Sequence, residues 1–326
     1  MFHDADSGLK AIIAVHSSAL GPAAGGCRMW NYDTDEAMLR DALRLSHGMS
    51  YKNAMADLPL GGGKAVIWGD AKADKSPELF RAFGRAVESL KGQYITAEDV
   101  GISVSDMQIV REETAHVAGL DEGDAASGDP SPITAMGIYL GILETAKRAL
   151  GTDDLTGRTI AVQGVGSVGG HVCEHLAKAG ANLIITDIDQ AALSDISTRT
   201  GARIVAPDEI YDVDADIFSP NALGAIINEK TLNRFRVKAI AGGANNQLIV
   251  PEMGELLRRR GILYAPDYVI NVCAKISGTY LRDWVDAKVK ALMVTLGEVL
   301  DLAMESSEPT NLVADRIARQ RIGRTD

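Results

Sequence analysis

Residues Thr159 to Gly169 have the sequence TIAVQGVGSVG, which indicates the architecture of the second half of the chain. Its first residues are mostly apolar and β-branched and predict a strand, and Gly164, Gly166 and Gly169 follow with G-x-G-x-x-G spacing before a helical pattern. In such a turn the first glycine allows the tight bend, the second lets a pyrophosphate approach the backbone, and the third lets helix pack against strand. The stretch therefore predicts a dinucleotide-binding site.

An acidic residue stands where such a site needs one. Asp187 ends the next predicted strand, 18 residues after Gly169, where its carboxylate can accept hydrogen bonds from ribose hydroxyls and would repel a 2′-phosphate. NAD is therefore favoured over NADP as the cofactor. The candidate cofactor contacts in this region are Gly164, Val165, Gly166, Ser167, Val168, Gly169, Asp187 and Ile188.

Short apolar strands alternate with helices around this motif. The predicted strands are Thr159 to Val162, Leu183 to Thr186, Arg203 to Val205, Ile217 to Ser219, Ala239 to Ala241 and Leu263 to Tyr264. This alternation implies right-handed crossovers and a parallel, doubly wound α/β sheet, which is the Rossmann architecture.

The first half of the chain predicts a second α/β unit. Leu9 to His16 is a β-branched run that predicts a strand, and a helix is expected from Glu36 to Met49 with Thr34 as its cap. A second helix is expected from Ser76 to Leu90.

A hinge is expected at Gly123 to Pro132, where the sequence GDAASGDPSP is small, polar and rich in turn residues. We therefore expect a substrate-binding and oligomerisation domain from 1–130 plus about 285–326, and a Rossmann NAD domain over 131–284. The last stretch, about 276–323, is predicted to be helical and to pack back across the first domain.

Composition excludes several classes of function. The chain has 326 residues and a formal net charge of -11, which argues against binding to nucleic acid or to an anionic membrane. Three cysteines at wide spacing form no disulfide framework or C-x-x-C pattern, and no leader or spanning segment is evident. The cysteine usage predicts a reducing, cytoplasmic setting. His171 and His175 have a metal-like i, i+4 spacing but lack an acidic third ligand in step, so no metal is expected.

Two lysines and one aspartate in the first half are candidates for chemistry. Lys64 follows three glycines directly, Lys52 stands in SYKNA, and Asp99 stands in YITAEDVG. Glycines before a lysine indicate close approach of backbone to a ligand, and a lysine removed from water has a lowered pKa that suits proton transfer with an amine.

These segments together resemble the Glu/Leu/Phe/Val amino-acid dehydrogenases, most closely the leucine dehydrogenase branch. The matches run in order along nearly all of the chain: LGPAAGGCRMW at Leu20, GMSYKNAMADLPLGGGKAVI at Gly48, YITAEDVG at Tyr94, GDPSPITAMG at Gly128, VQGVGSVG at Val162, AGGANNQL at Ala241 and YAPDYVIN at Tyr264. The resemblance implies reversible, NAD-dependent oxidative deamination of an L-amino acid to a 2-oxo acid and ammonia.

The resemblance also implies roles for individual residues. Lys52 would bind the substrate α-carboxylate, Lys64 would activate the attacking water, and Asp99 would exchange protons with the amino group, in a cleft between the two domains that closes about the hinge. Further residues would contact the substrate, namely Gly25, Gly26, Ala24, Ala97, Thr134, Asn245, Lys275 and Gly278. Thr134 and Asn246 would also contact the cofactor.

The sequence departs from the leucine dehydrogenase pattern at the side-chain pocket. Lys275 stands where a valine is usual, Gly278 falls on another pocket position, and Ala24 replaces a leucine. Either Lys275 turns the preference toward polar or acidic side chains, or it reaches solvent and leaves an enlarged apolar pocket. The sequence reaches its first strand without the family's leading helix, so a homo-oligomer is expected, but the family's octamer cannot be carried over and the number of subunits stays open.

Two other classes of function are alternatives. A 2-hydroxy-acid dehydrogenase would need a catalytic histidine with an acidic partner, and none of the six histidines stands in such a motif. A non-catalytic NAD-binding sensor would keep the fold without the chemistry. Retention of Lys52, Lys64 and Asp99 together argues for the enzyme.

Overall fold

The structure is a computed structural model that describes residues 1–120, 131–271 and 282–323. Backbone contacts divide the described chain into two compact units. The first unit contains 1–120, 282–285 and 318–323, and the second contains 131–271 and 286–317. Within the described residues, no helix is both long enough and apolar enough to cross a membrane.

The first unit is a six-stranded mixed sheet with helices on both faces. Its elements are β1 (Phe2–Asp4), β2 (Leu9–Ser17), β3 (Ala23–Ala24), β4 (Cys27–Trp30), α1 (Asp35–Met55), β5 (Gly61–Trp68), α2 (Pro77–Glu88), β6 (Tyr94–Ile95) and α3 (Val104–Arg111). The strand order is β1-β2-β5-β3-β6, and β4 also pairs with β5. β2 runs antiparallel to β5, whereas β3 and β4 run parallel to it.

The side chains of β2 and β5 alternate between the two faces of the sheet and contribute to two hydrophobic cores. Ile12, Ala14 and Val66 face α1, where they pack with Met38 and Ala42. The opposite side chains of these strands pack with α2 in a larger core that includes Leu9, Ala11, Ala65, Ile67, Phe80, Phe83 and Val87. Because successive side chains of a strand point to opposite faces, one strand serves both layers. The predicted cap of α1 is confirmed, since the Thr34 side chain accepts a hydrogen bond from Ala37 N at 3.1 Å.

The second unit is a parallel six-stranded sheet, as the sequence predicted. Its strands are β7 (Thr159–Gln163), β8 (Asn182–Thr186), β9 (Arg203–Ile204), β10 (Ile217–Pro220), β11 (Ala239–Ile240) and β12 (Leu263–Tyr264), in the order β12-β11-β10-β7-β8-β9. The chain winds outward from β7 to β9 and then returns to β10 on the other side of β7. This reversal is the topological switch point, beyond which a parallel sheet binds its ligand at the carboxyl ends of the strands.

The helices of the second unit complete the doubly wound α/β arrangement. They are α4 (Ser131–Ala149), α5 (Ser167–Lys178), α6 (Gln190–Thr200), α7 (Glu229–Leu232), α8 (Met253–Arg259), α9 (Asp267–Ile270) and the larger parts of α10 (Arg282–Ser306) and α11 (Thr310–Ile322). A short 3-10 turn lies at Glu209–Tyr211.

The C-terminal helices lie differently from the sequence prediction. That prediction assigned about 285–326 to the first domain, whereas 286–317 group with the second unit and 318–323 with the first. Within the second unit, Arg148 on α4 binds both carboxylate oxygens of Asp301 on α10 at 2.6 Å. Most of the predicted hinge, 123–130, lies outside the described residues.

Candidate active site

The glycine run that begins β5 brings the last turns of α1 against the sheet. A Cβ atom on Gly62 would lie 2.1 Å from the backbone nitrogen of Ser50, so only glycine allows this approach. Asn53 Nδ2 donates to the carbonyl oxygen of Gly61 at 2.6 Å and fixes the contact. Lys52 lies on this segment of α1 and is half-buried.

Lys64 and Asp99 form a buried ion pair in the first unit. Lys64 projects from β5 with 7% of its side chain exposed, and its Nζ donates a hydrogen bond to Oδ2 of Asp99, whose side chain is 27% exposed. The segment that carries Asp99 runs beside β4, because Cys27 N donates to the oxygen of Ala97 at 2.7 Å and Met29 N to that of Val100 at 2.9 Å. Two separate parts of the sequence thus meet at one charged contact.

Burial and charge shift the pKa values of both groups. Burial lowers the pKa of Lys64, and this effect exceeds the opposing attraction of Asp99. Burial alone would raise the pKa of Asp99, but the charge and hydrogen bond of Lys64, together with the charge of Arg28, bring it below its usual value. The carboxylate therefore stays ionised, while the ammonium loses its proton more readily than an ordinary lysine. This combination suits proton transfer with an amine or with water.

Arg28 is a site residue that the sequence reasoning missed. Its Nε lies 3.5 Å from Oδ2 of Asp99, and its Nη1 donates to Oδ2 of Asp41 at 3.0 Å. Arg28 stands in the LGPAAGGCRMW segment, two residues after Gly26, which was the available signal.

The remaining predicted residues of the first unit surround this pair. Gly26 approaches it most closely, because a Cβ atom there would lie 2.8 Å from Cβ of Asp99. Gly25 N donates to the oxygen of Ile95 at 3.2 Å, and Ala24 on β3 pairs with Gly62 of β5. The structure thus brings six of the predicted residues together where β3, β4, β5 and β6 lie side by side: Ala24, Gly25, Gly26, Lys64, Ala97 and Asp99.

The dinucleotide motif in the second unit has the predicted strand, turn and helix. Gly164 has φ +90°, a left-handed conformation that glycine accommodates, and α5 begins at Ser167 with Gly166 as its N-cap. Gly166 supplies no side-chain cap to α5, and a Cβ atom there would have nothing within 4 Å. The first amides of α5 are therefore open to an anion, as a bound pyrophosphate requires.

Asp187 is held next to this turn. Its Oδ2 accepts a hydrogen bond from Val165 N at 2.7 Å, and its Oδ1 accepts one from Asp189 N at 3.0 Å. Ile188 beside it is 88% exposed. These features fit a dinucleotide at the carboxyl end of β7 and β8.

The loops that follow β11 and β12 meet at an asparagine cluster. Asn271 donates from Nδ2 to the oxygen of Gly243 at 2.5 Å and to Oδ1 of Asn245 at 2.9 Å, while its own Oδ1 is buried without a hydrogen-bond partner among the described residues. Asn271 is the last residue of the YVIN segment, but it was not among the site residues predicted from the sequence. Asn246 has φ +52° and is exposed beside Asn245.

Thr134 is buried on α4, one helical turn before Ile138, whose side chain packs against Gly243. Thr134, Asn245 and Asn246 therefore belong to the same side of the second unit. Lys275 and Gly278 lie outside the described residues, so their predicted pocket roles stay predictions. Of the two helix histidines, His171 lies 3.5 Å from Glu174, and His175 stacks on Tyr139.

Comparison with protein families gives two matches. Residues 1–116 match the dimerisation domain of the Glu/Leu/Phe/Val dehydrogenases, and residues 185–274 match the glutamate/leucine/phenylalanine/valine dehydrogenase domain. The two ranges together exceed half of the chain, and they span both structural units.

Individual relatives agree with these matches. The chain is 50% identical to a leucine dehydrogenase of Bacillus subtilis (strain 168), over 98% of this chain and 90% of the relative. It is 44% identical to a phenylalanine dehydrogenase of Bacillus thermotolerans, over 98% of this chain and 86% of the relative.

The fold agrees with a solved structure of the same kind. The L-tryptophan dehydrogenase from Nostoc punctiforme superposes with a TM-score of 0.87 at 40% identity, covering 97% of this chain and 93% of that one. The α/β fold and the family resemblance predicted from the sequence are thereby confirmed. The chain therefore belongs to the Glu/Leu/Phe/Val dehydrogenase family and is an amino-acid dehydrogenase oxidoreductase.

Proposed function

We propose that this enzyme uses NAD to deaminate an L-amino acid with an apolar side chain, giving a 2-oxo acid and ammonia, and that it catalyses the reverse reaction. The observation that carries the proposal is the buried Lys64–Asp99 ion pair beside Gly26. A cation with a lowered pKa next to an ionised carboxylate is the pair of groups that this proton chemistry needs.

The first unit supplies the groups that hold the substrate and move protons. Lys52, as an ammonium on α1, binds the α-carboxylate. Asp99 accepts a proton from the substrate ammonium group, so that the amine nitrogen can donate electrons as hydride leaves the α-carbon. Lys64 in its neutral form removes a proton from the water that adds to the imine carbon, and it returns a proton when ammonia departs. Gly25 and Gly26 let the substrate approach the backbone.

The second unit supplies the groups that hold NAD. The amides at the start of α5 bind the pyrophosphate over Gly164 to Gly169, and Asp187 accepts hydrogen bonds from the adenosine ribose. Ile188 would contact the adenine ring, while Thr134, Asn245 and Asn246 would orient the nicotinamide end. Bound NAD would supply the acceptor for the hydride of the α-carbon.

The relatives favour an apolar substrate. The names of the relatives refer to leucine, phenylalanine and tryptophan, and each of these amino acids has an uncharged, bulky side chain. Ala24 is small and half-buried at the edge of the site, which fits the enlarged apolar pocket. The two alternatives, an acidic substrate recognised by Lys275 and a non-catalytic sensor, are not favoured.

We also propose a homo-oligomer that assembles through the first unit, because residues 1–116 match a dimerisation domain.

Cys27 and Cys173 are free and buried. Unpaired thiols of this kind fit a reducing cytoplasm.

The test is the initial rate of NADH formation at mildly alkaline pH with leucine, valine, phenylalanine, tryptophan, glutamate and aspartate, each with NAD and with NADP. The proposal predicts turnover with apolar members and NAD, and much less with the acidic members. Turnover confined to glutamate or aspartate would support the Lys275 alternative. Cofactor binding without turnover of any amino acid would support the sensor.

A further inference from the structure

Arg28 joins the Lys64–Asp99 pair to a second carboxylate. Its side chain is 22% exposed, and its guanidinium reaches Asp41 with Nη1 and Asp99 with Nε. The buried Nε has no hydrogen-bond partner among the described residues, although it lies only 3.5 Å from Oδ2 of Asp99. A buried donor left in this position is ready to bond when the carboxylate moves slightly.

The far side of Arg28 is firmly anchored. Oδ2 of Asp41 accepts hydrogen bonds from Arg28 Nη1 at 3.0 Å and from the hydroxyl of Tyr32 at 2.9 Å. Its other oxygen accepts one from Arg44 at 3.1 Å. Because both carboxylate oxygens are engaged, Asp41 is held on α1 in one orientation, and it fixes the guanidinium in turn.

We propose that Arg28 is a positioning residue for the deamination chemistry: it holds the Asp99 carboxylate against Lys64, keeps it ionised, and takes up its negative charge when Lys64 gives up its proton. This inference rests on the proposed function of Lys64 and Asp99. A lone carboxylate facing a neutral lysine in a buried site would be poorly stabilised. A second cation with a permanent charge removes that problem, because arginine does not titrate in the working range.

The neighbouring titratable groups support this role. Cys27 on β4 and Tyr94 on β6 are both buried, and burial raises the pKa of the thiol and of the phenol so that both are neutral. Arg28 remains as the permanent charge beside the pair, and its positive charge lowers the pKa of Lys64 and that of Asp99. Loss of this charge should therefore move both pKa values upward.

Two variants and a matched control separate positioning from mere stability. Arg28→Gln removes both the positive charge and the guanidinium group, whereas Arg28→Lys keeps a charge but cannot reach both carboxylates. The control, Arg81→Gln, removes an exposed guanidinium that binds Glu112 on the same unit. For each protein, kcat and KM for L-leucine are measured against pH, with thermal melting and NADH binding alongside. The pH dependence of the reaction of Lys64 with an amine-acylating reagent is followed by peptide mass spectrometry.

For Arg28→Gln we expect kcat to fall roughly tenfold or more. Both kcat/KM and the rate of Lys64 acylation rise with pH as Lys64 loses its proton, and we expect this rise, the acid limb, to move up by roughly one pH unit. For Arg28→Lys we expect a similar loss of kcat with the limb near that of the wild type. Arg81→Gln should match the wild type in both.

The inference would be overturned if folded Arg28→Gln had the kcat of the wild type and the same acid limb. It would also be overturned if a lower melting temperature were the only change in this variant. If Arg28→Gln does not fold, wild-type kcat in Arg28→Lys would overturn it. Failure of the proposed function gives a different result, since the wild type would then turn over no amino acid. The acylation limb would still report whether Arg28 acts on Lys64.

Discussion

Lys64 on β5 donates a hydrogen bond to Asp99, which lies 35 residues later in the chain and is carried beside β4. The contact is buried on the lysine side and partly open on the aspartate side. An ionised carboxylate beside a lysine whose pKa is lowered by burial suits proton exchange with an amine.

Asp99→Asn should leave the fold and the cofactor site intact but remove the proton acceptor. Asparagine has nearly the same shape, but its amide cannot take a proton from the substrate ammonium group. We expect kcat for L-leucine to fall by about 10² to 10⁴, with little change in NADH affinity. Steady-state kinetics and fluorescence titration with NADH measure the two quantities. Unchanged kcat would remove Asp99 from the mechanism.

The activity of the wild type should rise with pH through the pKa of Lys64. Burial lowers this pKa below that of an ordinary lysine, so neutral Lys64 appears at lower pH than the usual value of about 10.4. Since the pKa of Asp99 is also lowered, Asp99 should add no limb in the neutral range. A plot of log kcat/KM for L-leucine against pH checks both statements. An acid limb at or above the ordinary lysine value would contradict them.

Gly26→Ala should disrupt the site from the backbone side. The new Cβ atom would lie 2.6 Å from the oxygen of Glu98 and 2.8 Å from Cβ of Asp99, so Asp99 must shift. A displacement of about 1 Å at a reacting group lowers the rate by roughly 10², and we expect at least this loss in kcat/KM.

Gly48→Ala is the matched control for that substitution. Gly48 lies inside α1, and a Cβ atom there would meet nothing within 4 Å. This variant should be about 0.5 to 1 kcal/mol more stable to unfolding, with wild-type kinetics. Equal activity in both variants would show that the crowding at Gly26 has no effect on Asp99.

Asp187→Ser should change the choice of cofactor. The carboxylate, fixed by Val165 N and Asp189 N, repels the 2′-phosphate of NADP, and serine removes this charge. The ratio of kcat/KM for NADP to that for NAD should increase at least about tenfold, a change of about 1.4 kcal/mol. Asp189→Ser is the control, because Asp189 caps α6 and serine also caps helices. An unchanged ratio in Asp187→Ser would mean that another group selects the cofactor.

The fold of the second unit was largely predictable, because its strands are buried runs separated by glycine turns and amphipathic helices. Thr159 to Val162 and Leu183 to Thr186 both appear as strands. In the first unit, β1 and β4 were not foreseen, since three or four residues carry too little periodicity. The pairing of Arg148 on α4 with Asp301 on α10 is a contact between distant positions that no local pattern encodes.

The candidate site was predictable in its residue types but not in its contacts. Glycines before Lys64 signalled a close approach, and the structure shows Ser50 against Gly62. The sequence could not reveal that Arg28 bridges Asp41 and Asp99. Such a bridge requires α1, β4 and the segment after β6 to meet in three dimensions.

The most direct test of the central claim is turnover by Lys64→Ala, with Lys64→Arg as a second variant. We expect NADH formation from L-leucine to fall by at least about 10² in both, because alanine lacks an amine and arginine cannot become neutral in the working range. NADH binding, which belongs to the second unit, should match that of the wild type. Normal turnover by Lys64→Ala would contradict the account.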